Sequence, residues 1–445
     1  MHNEVRRAWL EQFLGERVSS EITLEISKHP RQGYHLRHGS QSIEMPAWDW
    51  GLGEAVANCA AYDAQREGWK SVLGGLMPAP GTTQLRQPLV ETNAYGCIVH
   101  YDVLGLVWWM LSRAEEFGRG DLDEHGRFPA TSSHAYRHGY LGRPVVDEWL
   151  YLLRQVVQRV WPGMKLTEIG FRMRVSHDVD RPSEYAFCGP RQLLRGIAAD
   201  LIRKRDLRSA VMRPWAWVWD RELHAADPCN TFQWLMDLSE SRGFRSAFYF
   251  VCGRTEPRFD PRYDVESSAI RALIRSIHRR GHEIGLHPSY GTYLDAAAIQ
   301  RETDALRKVC AQEGVSQESW GGRMHYLRWR APVTLWAWED AGLAYDATLG
   351  YADQIGFRCG TCFDYTALDP TAQRAPRLRI RPLIAMDATV LSKSYMDLRG
   401  SAARDEMVKL KDRCRAVGGS FTLLWHNSSL ATREDRRLYE DMLDA

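Results

Sequence analysis

Asp178 and Asp180 sit two residues apart in VSHDVDRP, after a strand-like run from Phe171 to Ser176. In a strand, side chains at i and i+2 share a face. One carboxylate can then ligate a cation while its neighbour takes a proton beside it. Three histidines follow: His287 closes the apolar run HEIGLH, His325 lies in GRMH, and His426 closes LLWH. An acidic pair with imidazoles supplied later is what metal-assisted hydrolysis requires.

Such residues need elements to bring them together. Helical spacing covers Gln192 to Lys204, Thr231 to Arg242, Ser267 to Arg280 and Ala296 to Glu313. Strand composition covers Arg172 to Ser176, Ser246 to Val251, His282 to His287, Gly322 to Leu327, Tyr345 to Thr348 and Phe421 to Trp425. Strands alternating with helices predict βα units and a parallel sheet. About seven such strands predict a barrel-like closure with the chemistry at their carboxyl ends.

The first part reads as mixed α and β. Ile22 to Ile26 has strand composition, Tyr101 to Phe117 is an apolar helix, and Asp147 to Val160 is a helix stopped by Trp-Pro-Gly. At 445 residues two domains are expected, a smaller mixed α/β domain over 1–167 and an α/β domain over 168–445.

The ordered set resembles the NodB-type polysaccharide deacetylase family. The matching segments are DVD at Asp178 to Asp180, GHEIGLH at Gly281 to His287, Arg330-Ala-Pro332 and Leu424-Trp-His426. The resemblance implies a distorted (β/α) barrel and a metal-dependent hydrolase that removes an acetyl group from an N-acetylated sugar or glycan intermediate. It implies Asp178 as general base, Asp180 and His287 as metal ligands, and His426 as the acid that protonates the leaving amine. It implies Arg330 as the group orienting the base. The implied cofactor is a divalent metal, Zn2+ first, with Co2+, Ni2+ or Mn2+ as alternatives. The first part resembles an uncharacterised domain that precedes such deacetylases in certain bacterial proteins, on YDVLGLVWWMLSRAEEF, DEHGRFPATSS and RPVVDEWLYLL. That second resemblance implies no activity.

One position departs from the family. A second histidine belongs four residues after the first, and Gly291 stands there. Catalytic zinc generally takes three protein ligands and an open position. His325, expected on the strand beside the one bearing His287, is the substitute ligand; Tyr293 and Asp353 are poorer candidates. The competing reading is a degenerate protein of this fold that binds glycan without hydrolysis, and a third is a hydrolase of a non-sugar amide.

Plainer roles stand beside these. Asp178 and Asp180 could open a turn before Arg181-Pro182, His287 and His426 could be core histidines, and Arg330 could pair with Asp346. His282 reads as structural, and His177 as pointing away from the aspartates. His134 and His138 have the i,i+4 spacing of a helical metal site but are expected at the surface or a domain interface. Trp215, Trp217 and Trp219 alternate in PWAWVWD and are expected to pack, rather than to stack on sugar or face a membrane. The CxxC of Cys359 and Cys362 lacks a second pair and reads as incidental.

Composition narrows the classes further. Lys+Arg 58 against Asp+Glu 56 leaves no bulk field for nucleic acid or an anionic membrane. No run is long enough to span a bilayer, and Met1 to Val18 lacks the apolar core of a secretory signal. Nine irregularly spaced cysteines suit a reducing compartment. The expected location is cytoplasmic and the expected partner an acetylated aminosugar or glycan intermediate, with the oligomeric state left open.

Overall fold

Apolar runs bounded by turn residues become the strands of two sheets and one strand pair. The computed structural model describes every residue except 1, 28–32, 54, 55, 204, 219–221, 373 and 445. In the first part β1 (Thr23–Ser27), β2 (Gly33–His38) and β3 (Gln41–Pro46) run antiparallel. β4 (Cys59–Tyr62) pairs with β5 (Met77–Pro80), and β6 (Val90–Asn93) pairs with β7 (Gly96–Val99). β7 joins β3 in parallel, giving the order β1-β2-β3-β7-β6. The helix Val145–Val160 buries Trp149, Leu150, Leu152, Leu153, Val156 and Val157, a stripe at helical spacing.

The second sheet holds β8 (Arg172–Val179), β9 (Ser246–Phe250), β10 (Glu283–Leu286), β11 (Gly321–Gly322) and β12 (Tyr345–Asp346). It continues with β13 (Tyr365–Thr366), β14 (Arg379–Ile380), β15 (Ala385–Met386) and β16 (Ser420–Leu424). Its order is β13-β14-β12-β11-β10-β9-β8-β16-β15. Only the β13–β14 pair in this sheet is antiparallel among the described residues. Helices Phe232–Ser241, Ser268–Arg279 and Ala296–Gln312 make the crossovers between successive strands from β8 to β11. The second of these buries Ala269, Ile270, Leu273, Ile274 and Ile277, one face of a helix.

The expected barrel closure is not made. The edge strands β13 and β15 do not pair with each other among the described residues, so the sheet is a curled half-barrel. β11 to β15 are each two residues long, and closure needs a continuous hydrogen-bonded ladder around the ring. The strand expected from Gly322 to Leu327 stops at Gly322, which leaves His325 on the turn that follows. Gly322 is required there: a Cβ would stand 1.8 Å from the Leu286 carbonyl oxygen.

The first part closes on the second through buried polar groups. The Trp9 indole donates to the Thr366 carbonyl at 2.9 Å, so the helix His2–Arg17 covers the edge strand β13. The Asp147 carboxylate accepts from Arg17 at 2.8 Å, from Thr361 Oγ1 at 2.7 Å and from the Cys362 amide at 3.0 Å. No helix among the described residues is long and apolar enough to cross a membrane. All nine cysteines are free.

His134 is not a surface residue. It is fully buried on the helix His134–Arg137, with Nδ1 2.5 Å from the Tyr140 hydroxyl, whereas His138 is exposed. Burial, then the charges of His138 and Arg137, lowers its pKa to about 3.

Two outcomes follow from this packing. Asp147→Ala strands the buried Arg17 guanidinium and should cost about 3–5 kcal/mol in urea unfolding. The native His134 binds fewer protons than its unfolded counterpart from about pH 6.5 down to about pH 3. Stability is therefore lost as pH falls through that window. The drop in Tm between neutral and mildly acidic buffer should be smaller in His134→Gln than in the wild type.

Candidate active site

Strand register brings five of the expected side chains to one end of the large sheet. Val179 pairs with Phe250, Phe250 with Leu286, Leu286 with Gly322, and Ser176 with Leu424. Asp178 lies at the end of β8 with Asp180 just beyond it, and His287 follows β10. His325 stands three residues past β11 and His426 two past β16. All five line one cavity of about 280 Å³, with Arg127, Tyr326, Leu327, Met386 and Tyr395 around them.

Each imidazole is oriented from behind. His287 Nδ1–H donates to the Arg323 carbonyl at 2.5 Å, His325 Nδ1–H to Asp260 at 3.0 Å, and His426 Nδ1–H to Asp387 at 2.7 Å. With Nδ1 engaged, Nε2 is the free ring nitrogen in all three. Asp180 Oδ1 lies 3.2 Å from His287 Nε2 and 3.6 Å from His325 Nε2, and Oδ2 lies 3.5 Å from His426 Nε2.

Asp180 Oδ1 and His287 Nε2 are buried and have no hydrogen-bond partner among the described residues. Leaving such atoms unsatisfied is costly unless a further group engages them. Asp180, His287 and His325 present ligand atoms that all lie within 4.8 Å of one another. One carboxylate and two imidazoles are a hydrolytic donor set with room for an open position, so these residues fit a divalent cation.

The field inside the cavity is set by close pairs. Burial raises the Asp180 carboxyl, but His325, His287 and His426 outweigh it and hold the group far below the usual carboxylate range. Burial lowers His287, and Asp178 and Asp180 turn the net shift upward. For His426 burial is again opposed, chiefly by Asp387, and the pKa is pushed up to about 10.

Asp178 is almost fully buried and is held by an arginine other than the one expected. Arg323 donates from Nη1 to Asp178 Oδ1 at 2.8 Å, from Nη2 to Ser176 Oγ at 2.9 Å, and from Nε to the Ala347 carbonyl at 2.9 Å. Arg330 is exposed, and its backbone amide donates to Thr334 Oγ1 at the start of the helix Val333–Asp340. It neither orients Asp178 nor pairs with Asp346. Asp178 lies on β8 and its Oδ1 is taken by Arg323.

The other candidates are elsewhere. Gly291 is exposed, and a Cβ there would meet Thr255 at 3.0 Å. Asp353 accepts from the Ala130 amide, and Tyr293 lies against the Arg328 guanidinium. His177 is buried against Phe248 with Nδ1 2.7 Å from the Trp425 carbonyl, and His282 bridges Ser246 and Glu240.

Sequence reasoning missed Arg323, Asp260, Asp387, Arg127, Tyr326 and Tyr395. Arg323 had a signal, two residues before His325, and Asp387 had a weaker one at the end of the apolar run LIAM. Asp260 and Arg127 lie in turn-rich segments without periodicity. Arg127 comes from the first part, donating to the Tyr326 carbonyl and the Tyr395 hydroxyl at 3.0 Å each.

Residues 28–162 match DUF7033, described as a family of unknown function. No curated protein matches the chain. Among solved structures it is similar to a protein described as a polysaccharide deacetylase from Mycobacterium smegmatis, with 14% identity and a TM-score of 0.39, covering 62% of this chain and 83% of that one. It is similar to Puue allantoinase, with 14% identity and a TM-score of 0.36, covering 64% and 85%. A third is a protein described as a polysaccharide deacetylase from Pseudomonas aeruginosa PAO1, with 16% identity and a TM-score of 0.37, covering 64% and 86%.

The donor set makes a direct statement about metal content. After dialysis against zinc, His325→Ala and Asp180→Ala should each lose bound metal by elemental analysis, while Arg330→Ala keeps it. Asp260→Asn should weaken affinity about 10–100-fold, as expected when a partner behind a ligating histidine is altered. Retention of full metal by His325→Ala would remove this residue from the ligand set.

Proposed function

We propose that this chain is a metal-dependent hydrolase that removes an acetyl group from an N-acetylated sugar or glycan intermediate. The observation that carries the reading is the convergence of Asp180 and two imidazole Nε2 atoms beside a carboxylate locked by a buried arginine. In this proposal residues 1–167 form an N-terminal domain and 168–445 a deacetylase-like domain that contributes all five acid, base and ligand side chains.

A divalent cation held by Asp180, His287 and His325, zinc first among the choices, supplies Lewis acidity for the acetyl carbonyl and for water. Asp178 takes the proton of the attacking water. Its Oδ1 is occupied by Arg323, so Oδ2, 3.7 Å from His287 Nε2, is the oxygen left for that task. His426 donates a proton from Nε2 to the departing nitrogen, and the Asp387 carboxylate behind it keeps the ring charged at neutral pH. Leu327, Met386, Tyr326 and Tyr395 give the cavity an apolar wall suited to an acetyl methyl and a sugar face. Nine free cysteines suit a cytoplasmic site of action, on a nucleotide- or lipid-linked precursor.

Purified protein loaded with zinc or cobalt should release acetate from acetylated aminosugar oligomers. Asp178→Asn should lower kcat by about 10²–10⁴-fold, the usual worth of a positioned general base, with its metal content unchanged. Arg330→Ala should stay near the wild-type rate. Absence of acetate from every N- or O-acetyl substrate by metal-loaded protein would overturn the reading.

A further inference from the structure

Between Asp180 and the helix Phe232–Ser241 the chain inserts a helical hairpin, Pro190–Ile202 and Leu207–Val218. Its packing is inside out. At the contact between the two helices, buried Arg213 donates to buried Asp200 at 2.8 Å. The apolar residues face away. Leu194, Leu201 and Ile202 are exposed on the first helix, and Leu207, Val211, Trp215 and Val218 on the second, with Trp215 at 67% and Ile202 at 80%. Spacings of three, four and seven put each set on one helical stripe. Eight of the fifteen exposed large apolar side chains among the described residues fall between 194 and 218, so this is a patch and not scatter. The expectation that the tryptophans pack fails for Trp215, whereas the Trp217 indole donates to the Cys188 carbonyl at 2.7 Å; Trp219 lies outside the described residues.

Charge says what covers the patch. Residues 190–218 hold seven Lys and Arg against two Asp, whereas the whole chain has a net charge of only +2. Arg191, Arg195, Arg203, Arg205 and Arg208 are exposed and make no ion pair among the described residues. Both acids are engaged within the hairpin, Asp200 by Arg213 and Asp206 by Ser209. A two-fold contact with a second copy would set the same arginines against each other. A phosphate backbone would satisfy the arginines and leave the leucines, isoleucine and tryptophans in water. An anionic bilayer surface answers both, with basic groups at the headgroups and Trp and aliphatic side chains just below.

We infer that this hairpin docks the protein on an anionic lipid surface. The helices have 13 and 12 residues, short of the roughly 20 needed to span, so they lie in the interface. The base of the hairpin is tied to the catalytic end of the sheet. Asn427, next to His426, donates from Nδ2 to the Arg181 carbonyl at 2.9 Å and the Cys229 carbonyl at 2.7 Å. Docking therefore holds the His426 loop close to the membrane, where a lipid-linked substrate would present its sugar. The docking itself stands apart from the hydrolase reading.

Co-sedimentation of the full chain with vesicles tests the inference. The protein should pellet with phosphatidylcholine mixed with phosphatidylglycerol, not with phosphatidylcholine alone, and added salt should release it. Arg203→Glu/Arg205→Glu/Arg208→Glu and, separately, Leu207→Ser/Trp215→Ser should each lower partitioning at least about tenfold. Metal content and acetate release from soluble oligomers should be unchanged in both. Circular dichroism checks that the variants fold, and the salt and lipid dependence of the wild type decides the matter if they do not. The inference is overturned by wild-type protein that ignores anionic vesicles at low salt, by variants that bind as well as wild type, or by a dimer that the Trp215 variant splits.

Discussion

A buried guanidinium is the constraint on which the site depends. Arg323 is fully buried, and a charge out of water must be matched by partners with good geometry. Its three donor groups reach Asp178 and Ser176 on β8 and the Ala347 carbonyl after β12, and its own carbonyl receives His287 Nδ1–H from beyond β10. One residue thus sets the candidate base, one candidate ligand and the spacing of four strands. Losing Asp178 would leave the buried guanidinium without its anionic partner.

The three imidazoles show the same logic one layer out. Each has a partner on Nδ1 that comes from another segment of the chain: a carbonyl 36 residues away for His287, Asp260 65 residues away for His325, and Asp387 39 residues away for His426. These partners choose the ring nitrogen that faces the cavity, so three chemically ambiguous rings become three directed lone pairs or donors. The ionised Asp387 carboxylate behind His426 favours a charged ring that can give up a proton.

What the sequence made legible were residues that end apolar strands. Asp178, Asp180, His287 and His426 follow runs whose burial is readable from composition, and parallel register does the rest. His325 was findable because β10 and β11 are neighbours, although it sits on a turn. Arg323 was passed over for Arg330 because a three-residue motif match outweighed the nearer arginine; only the fold reveals a pairing 145 residues apart. The open sheet was invisible for a related reason: two-residue strands such as β11 to β15 leave no periodicity. The tryptophan alternation misled because the segment is helical, where positions two apart do not share a face, and Trp215 is left exposed.

The first part of the chain also belongs to the site, which a division at residue 167 hides. Tyr326, beside His325, has φ 61, a left-handed conformation that is unfavourable for a bulky residue and persists only where surroundings over-determine it. Those surroundings come largely from the loop at 123–127. Arg127 donates to the Tyr326 carbonyl, His125 packs on the Tyr326 ring at 4.8 Å, and Arg328 donates back to the His125 carbonyl at 2.7 Å. Asp123 in turn fixes Arg127 through its side chain and backbone amide. Without this loop Tyr326 has little reason to keep its strained backbone, and the turn that aims His325 at Asp180 loses its outer support. The 123–127 loop of the first part therefore buttresses the turn that carries His325.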